Sequence, residues 1–258
     1  MSVRINTNIE ALNAQRNLTA TAAVFAKSVE KLSSGLRINR AADDAAGLGI
    51  SETLRSQVNG LNQAVRNAQD GISLVQTGEG ALNEVSSMLQ RIRELAVQYN
   101  NGTNDANAQA SIQAEADALQ TTIASIGTNT KFNGVALLTA GTITLQVGAN
   151  ADETQTVTTT KLDTSAADVA DLSTIDAVIA DVSTQRAAFG AAQNALEHTV
   201  NSLTVASENF TASESRIRDL DVASEMVKFT KTQILQQAGT AILAQANSAP
   251  QSILTLLR

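Results

Sequence analysis

The sequence predicts a mainly α protein: a long antiparallel helical rod or coiled coil, with a small β-hairpin region at the far end. Three observations lead there. Apolar residues recur at helical spacing near both chain ends. A long central track, from Leu54 to Ala96, repeats every seven residues. The composition also withholds both helix breakers and bulky core residues. Only one proline, Pro250, occurs in 258 residues, and it lies close to the C-terminus. A proline inside a helix costs roughly 3 kcal/mol, so nothing of that kind interrupts residues 1–249. Aromatics make up 2% of the chain and Trp is absent. Ala, Leu, Ile and Val supply most of the apolar content, which favours slender helix-to-helix seams over a thick core.

Ile5, Ile9 and Leu12 open a helical pattern that continues to about Leu36. Within it Leu18, Ala22, Phe25, Val29, Leu32 and Leu36 form a narrow stripe at spacings of four and three, a seam for another helix. Gly35 and residues 39–44 mark a break, and Asp43 or Asp44 offers a carboxylate able to cap the next helix. That helix is expected from about Asp44 to Tyr99, roughly 80 Å at about 1.5 Å per residue. Its first track is Leu54, Leu61, Ala68, Val75, Leu82, Leu89 and Ala96. A second track of Val58, Val65 and Ile72 resumes at Val85 and Ile92 one residue out of step, with Gly78 and Gly80 at the slip. A local irregularity or weak point is expected there.

Residues 100–105 form a turn by composition. Ala106 to about Ile126 is a third helix, with Ile112, Leu119, Ile123 and Ile126 on its apolar side. Asn133-Gly134 signals another turn. Residues 142–147 alternate in the manner of a strand, residues 148–153 are its loop, and the Thr-rich stretch 154–160 is the returning strand. A last helical region begins near Ser173 and runs through Leu196, Leu203, Phe210 and Ile217 at sevenfold spacing. It leads into a C-terminal stripe of Leu220, Val227, Ile234 and Ala241, with residues 219–221 leaving open whether this is one helix or two. With stripes at both ends, the natural partner of the first helix is the last. The expected organisation is a terminal coiled-coil domain of residues 1–42 and 215–258, and a helical rod domain of 43–214 that includes a β-hairpin near 131–172.

The net charge is −7, with basic ends and an acidic middle: residues 1–40 hold six Lys/Arg against two Asp/Glu. No basic cluster is dense enough for a phosphate footprint, so no nucleic-acid partner is expected and the end charges are assigned to the solvated flanks of the seams. No run approaches the ~18 apolar residues of a membrane span, and no membrane insertion is expected. The first residues carry no signal-peptide core, which implies a cytosolic protein or export that reads no cleaved signal. The chain has no cysteine, hence no disulfide or thiolate metal site. The single histidine, His198, lacks a metalloprotease motif and is placed on a helix surface. Gly47-Leu48-Gly49 and Gly78-Glu79-Gly80 lack the preceding strand and the Lys-Ser/Thr of a phosphate loop, and fit small residues in helix seams. Asp43-Asp44 lacks the ligand spacing of an EF-hand. No catalytic residue, metal or cofactor is expected. The pattern suits a structural building block better than an enzyme.

Particular words in the sequence carry more than its periodicity. Leu32-Ser33-Ser34-Gly35-Leu36-Arg37-Ile38-Asn39 is followed by Ala41-Ala42-Asp43-Asp44-Ala45-Ala46-Gly47-Leu48. Arg66-Asn67-Ala68-Gln69-Asp70-Gly71-Ile72-Ser73-Leu74 and Arg91-Ile92-Arg93-Glu94-Leu95-Ala96-Val97-Gln98 come next. Ser213-Glu214-Ser215-Arg216-Ile217-Arg218-Asp219 and Ala244-Gln245-Ala246-Asn247 stand near the C-terminus. In this order they resemble bacterial flagellin, over about 1–140 and 180–258.

The resemblance implies an extracellular subunit that self-polymerises into the flagellar filament for swimming motility. The form is near-minimal, without large outer domains, and is exported unfolded through the flagellum's own type III apparatus without a cleaved signal peptide. It implies that the two stripes pair as the inner coiled coil and remain largely disordered until neighbouring subunits cover them. The partners implied are other copies of the subunit, an export chaperone, and the filament cap and hook–filament junction proteins. A host partner, the innate immune flagellin receptor, is implied as well: Gln90, Arg91, Leu95, Ile112 and Glu115 match the positions of that contact or of the filament interface. Arg91 and Leu95 stand four apart, as an arginine and apolar anchor on one helix face would. The rival readings are a hook–filament junction protein, which shares the terminal helices, and an intracellular coiled-coil adaptor. The middle segment is too short for the enzyme domain some flagellins carry.

Overall fold

The computed structural model describes residues 7–163 and 168–256, with side chains as far as Ala249. Ile5, the start of the first apolar pattern, and residues 164–167 of the expected hairpin region lie outside the described residues. The elements in order are α1 (Ile9–Ser34), α2 (Ala45–Tyr99), α3 (Ala106–Asn129), β1 (Lys131–Phe132), β2 (Val135–Ala136), β3 (Gly141–Gln146), β4 (Thr154–Thr159), α4 (Leu172–Arg218) and α5 (Val222–Leu256). The protein is mainly α, with two small antiparallel sheets. No helix among the described residues is long and apolar enough to cross a membrane.

Side chains set the helix boundaries. The Asn8 carboxamide accepts from the Ala11 N–H at 3.1 Å and caps α1. Gly35 ends it in the left-handed region, φ 71°, donating to the Lys31 carbonyl. That conformation is cheap only for glycine. Asp44 accepts from the Gly47 N–H at 2.8 Å and caps α2. Its neighbour Asp43 accepts from the N–H groups of Asn39 and Arg40, at 3.3 and 3.1 Å, and holds the connector. Residues 219–221 do interrupt the last helical region. The Asp221 carboxylate accepts from the Ala223 and Ser224 N–H groups, at 3.1 and 3.2 Å, and so opens α5. Pro250 does not end that helix, which continues to Leu256.

β3 and β4 pair from Gly141↔Thr159 to Gln146↔Thr154, close to the expected hairpin. Asn133 (φ 47°) and Gly134 (φ 84°) form a two-residue turn of the kind that closes hairpins. It joins β1 and β2, whose two-residue strands are too short to show a period in sequence.

The chain forms two compact units, Met1–Arg55 with Phe210–Arg258, and Ser56–Asn209. The core of the second unit runs along α2, α3, α4 and the sheets, through Leu82, Leu89, Ile92, Ile123, Leu138, Ile175 and Phe189. The expected register slip in α2 is absent. The buried second track is Ala64, Gly71, Gly78, Val85 and Ile92, an unbroken sevenfold series, while Val65 and Ile72 flank it half-buried. Hydropathy missed this track because two of its members are glycines. A Cβ on Gly78 would lie 2.7 Å from the Phe189 ring, and one on Gly71 would lie 2.4 Å from Leu145 Cδ1. Glycine stands where a bulky side chain crosses α2, and the helix continues unbroken past it.

Candidate assembly and recognition surfaces

In the first unit α1 and α5 pair antiparallel. On α1 a track of half-buried or buried positions spaced three and four apart runs through Ala11, Ala14, Leu18, Thr21, Phe25, Ser28 and Leu32, flanked by half-buried Ala22, Glu30 and Lys31. On α5 the corresponding positions are Glu225, Phe229, Thr232, Gln236, Gly239, Leu243 and Ala246. This is a knobs-into-holes pattern made largely of small and polar residues. Four contacts align it. Asn8 Nδ2 donates to the Ala246 carbonyl at 2.7 Å. Leu18 lies against Gly239, 3.1 Å from where a Cβ would stand. Phe25 and Phe229 stack with centroids 5.0 Å apart. Ser28 Oγ donates to Glu225 Oε1 at 2.6 Å.

The Glu225 carboxylate is buried and also receives Lys228 Nζ at 3.3 Å. The Ser28 hydroxyl holds this carboxyl below the ordinary glutamate range; burial pushes the other way, and Lys228 and Lys31 assist the depression. Among the described residues of α1 and α5, the buried ones are Ser28, Glu225 and Thr232; no large apolar side chain of the pair is fully buried.

Of the stripe residues named from the sequence, Leu18, Phe25 and Leu32 lie half-buried on this seam. Leu36 and Leu220 sit beyond it, half-buried where the two connectors meet. There Leu36 bridges Asp219, and the Leu220 N–H donates to the Gly35 carbonyl at 3.0 Å. Val29 is 42% exposed, Val227 70% and Ile234 59%, and Ala241 is exposed too, so these four face outward. The reason is chemical. The inward track of α5 carries Glu225, Thr232, Gln236 and Gly239, so a search for apolar residues picks the opposite side of the helix. The outward faces are correspondingly apolar: Ile9, Leu12 and Val24 on α1, and Met226, Val227, Ile234, Leu235 and Ile242 on α5 are exposed.

In the second unit Arg91 links two helices. Its guanidinium donates to Glu115 Oε1 at 2.9 and 3.1 Å, and to Glu94 Oε2 at 3.0 Å. The Glu94 hydrogen bond and then the Glu115 pair raise the arginine's pKa above its usual value. Gln90 is exposed beside it. Leu95 and Ile112 are core residues, 1% and 6% exposed, so they do not form an accessible anchor next to Arg91. Arg91 and Leu95 are four residues apart, but the helix face they span turns from solvent to core between them. Sequence reasoning missed Glu94, the second carboxylate on Arg91, and Glu225, the buried partner of Ser28. An acidic residue on the seven-residue track of Thr232 and Gly239 was the available signal for the latter.

His198 is exposed on α4. Among the described residues no group of three or more His, Cys, Asp or Glu is placed to hold a metal.

Two family models match the chain: the bacterial flagellin N-terminal helical region over residues 5–144, and the bacterial flagellin C-terminal helical region over 172–257. The chain is 52% identical to a flagellin of Halalkalibacterium halodurans, over 98% of its length and 99% of that protein. It is 47% identical to a flagellin of Bacillus subtilis, over 99% and 100%. It is 46% identical to the flagellar filament 33 kDa core protein of Treponema phagedenis, over 98% and 99%. Among solved structures, Bacillus cereus flagellin matches with a TM-score of 0.50 at 32% identity, over 54% of this chain and 88% of that one.

Proposed function

The chain belongs to the bacterial flagellin family as a structural subunit of the flagellar filament and not an enzyme, and we propose that the outward faces of α1 and α5 are its principal assembly surfaces. One observation carries this reading: the fully buried residues of the pair are polar, its inward Leu and Phe side chains are only half-buried, and a further set of large apolar side chains faces outward. Burying one Val, Leu or Ile contributes about 1.5–3 kcal/mol, and a lone subunit forgoes that at most positions of the pair. Contiguous exposed apolar surface of this kind marks an interaction site, and identical subunits joined head to tail without closure generate a helical polymer. Residues 1–42 and 215–258 then form the inner coiled coil, and residues 43–214 the surrounding layer. The filament is extracellular and serves swimming. Its subunits leave the cell by the flagellar type III route, with the export chaperone, filament cap and junction proteins as further partners. The test is Val227→Glu with Ile234→Glu. The purified wild-type chain sediments as long filaments, whereas the variant stays in the supernatant with unchanged circular dichroism. Filaments at wild-type yield from the variant overturn the reading.

A second reading is favoured by the exposed Arg91–Glu115 bridge. The host flagellin receptor contacts the polar face of Gln90, Arg91 and Glu115, with Leu95 and Ile112 supporting that face from below. Leu95→Ala would open a core cavity costing about 2–5 kcal/mol, so the informative variant is Arg91→Ala with Glu115→Ala. Receptor-reporter activation falls in this double variant at unchanged thermal stability. Activation equal to wild type removes the assignment.

A further inference from the structure

We propose that the Ser28–Glu225 pair sets the register of the α1–α5 seam, and that this register decides which composite outer face the subunit presents to its neighbours. The second half rests on the assembly reading above, and the first half does not.

Apart from the Phe25–Phe229 stack and Gln236, the seam between Ser28–Glu225 and the far end is built of Ala, Thr, Gly and Leu, which offer little steric resistance to sliding. Moving α5 by one heptad keeps both inward tracks inward, because each repeats every seven residues. One slide brings Phe229 level with Leu18, and the opposite slide brings it level with Leu32. Both exchange the Phe25–Phe229 stack for another apolar contact. Glu225 has no such substitute. In the first slide it meets Thr21, whose hydroxyl already donates to the Asn17 carbonyl at 2.9 Å. In the second it comes level with Gly35, the residue that ends α1 and carries no side chain. In either case a buried carboxylate loses the hydroxyl that Ser28 supplies at 2.6 Å. Lys228 rides on α5 and stays with Glu225 in either slide, but the lost charge-assisted hydrogen bond from Ser28 costs more than exchanging one apolar contact for another, so the polar pair favours one register where the apolar residues favour none.

The consequence lies outside the seam. A slide of one heptad shifts Val227, Ile234 and Ile242 along the axis by about 10 Å relative to Leu12, Val24 and Val29. The two helices then no longer make the same joint surface.

The chain lacks cysteine, so the full-length protein can report its own register. A Cβ at position 239 would stand 3.9 Å from Leu18 Cβ, within the separation of about 3.5–4.5 Å that a disulfide spans. Leu18→Cys with Gly239→Cys therefore reports the observed register, and Leu18→Cys with Thr232→Cys or Ala246→Cys reports the slides. With Ser28 and Glu225 intact, the first pair should oxidise intramolecularly about tenfold faster than either other pair. With Ser28→Ala and Glu225→Leu the three rates should converge. Glu225→Gln, which can still accept from Ser28, should keep the original preference. Continued preference for Leu18–Gly239 in the Ser28→Ala/Glu225→Leu chain, or loss of all three bonds there, overturns the register role. Assembly separates the second half: the Ser28→Ala/Glu225→Leu chain should polymerise poorly and recover once the 18–239 disulfide locks it. Undiminished polymerisation with scrambled register overturns that half alone.

Discussion

Glu225 makes the terminal seam sensitive to acid. Its carboxyl lies below the ordinary range because Ser28 donates to it, with burial opposing. A depressed folded-state pKa means that the unfolded chain binds more protons at low pH. The stabilisation is therefore complete above the unfolded value of about 4.3 and is lost as pH falls through the folded value. Thermal unfolding of the wild-type chain should lose more stability on acidification than that of Glu225→Gln; parallel pH profiles for the two contradict the role given to this carboxylate. Asp43, also depressed by hydrogen bonds from the Arg40 and Asn39 N–H groups, titrates in both chains and cancels in the comparison. The Arg91–Glu115 bridge differs in kind. It is solvent-exposed, where water and salt screen the pair, so its value lies in the shape of the surface it fixes and little in stability.

At the scale of elements, α2 separates two uses of glycine. Gly78 stands under the Phe189 ring, whereas Gly80, two residues on, has open space where a Cβ would go. Glycine in a helix interior costs about 1 kcal/mol relative to alanine. Gly80→Ala should therefore stabilise by about 0.5–1 kcal/mol. Gly78→Val must displace the ring and should destabilise by about 1–3 kcal/mol. Denaturant midpoints measure both, and equal effects of the same sign would refute the packing argument.

The same glycines show what the sequence could and could not disclose. The first α2 track, the Asp44 cap and the β3–β4 hairpin were legible because each has a local signature: a sevenfold apolar repeat, a carboxylate before a helix, an alternation of Thr with apolar residues. The second α2 track was misread because Gly71 and Gly78 carry no hydropathy to mark them. The direction of α5 was misread for a related reason. Periodicity reports where apolar residues lie, and on this helix they lie away from the partner. Arg91 and Glu115 were named only through the family resemblance, which did not disclose that they pair, while the burial of Leu95 in the core was not foreseen.

For the whole molecule, the outward apolar faces join sequence to function. Only polar residues of the terminal helices are fully buried between them, so on the proposed reading a lone subunit is an incomplete fold that filament growth would complete. On that reading, residues that would be a liability in a monomer serve as the means of association in a polymer. Met226, exposed on the outer side of α5 next to Val227, can report the change without any substitution. Peroxide oxidation of its thioether, followed by peptide mass spectrometry in the free subunit and in filaments, is the most direct measurement. Rapid oxidation in the free subunit and strong protection in the filament are the predicted result; equal oxidation in both states would contradict the claim that assembly buries this face.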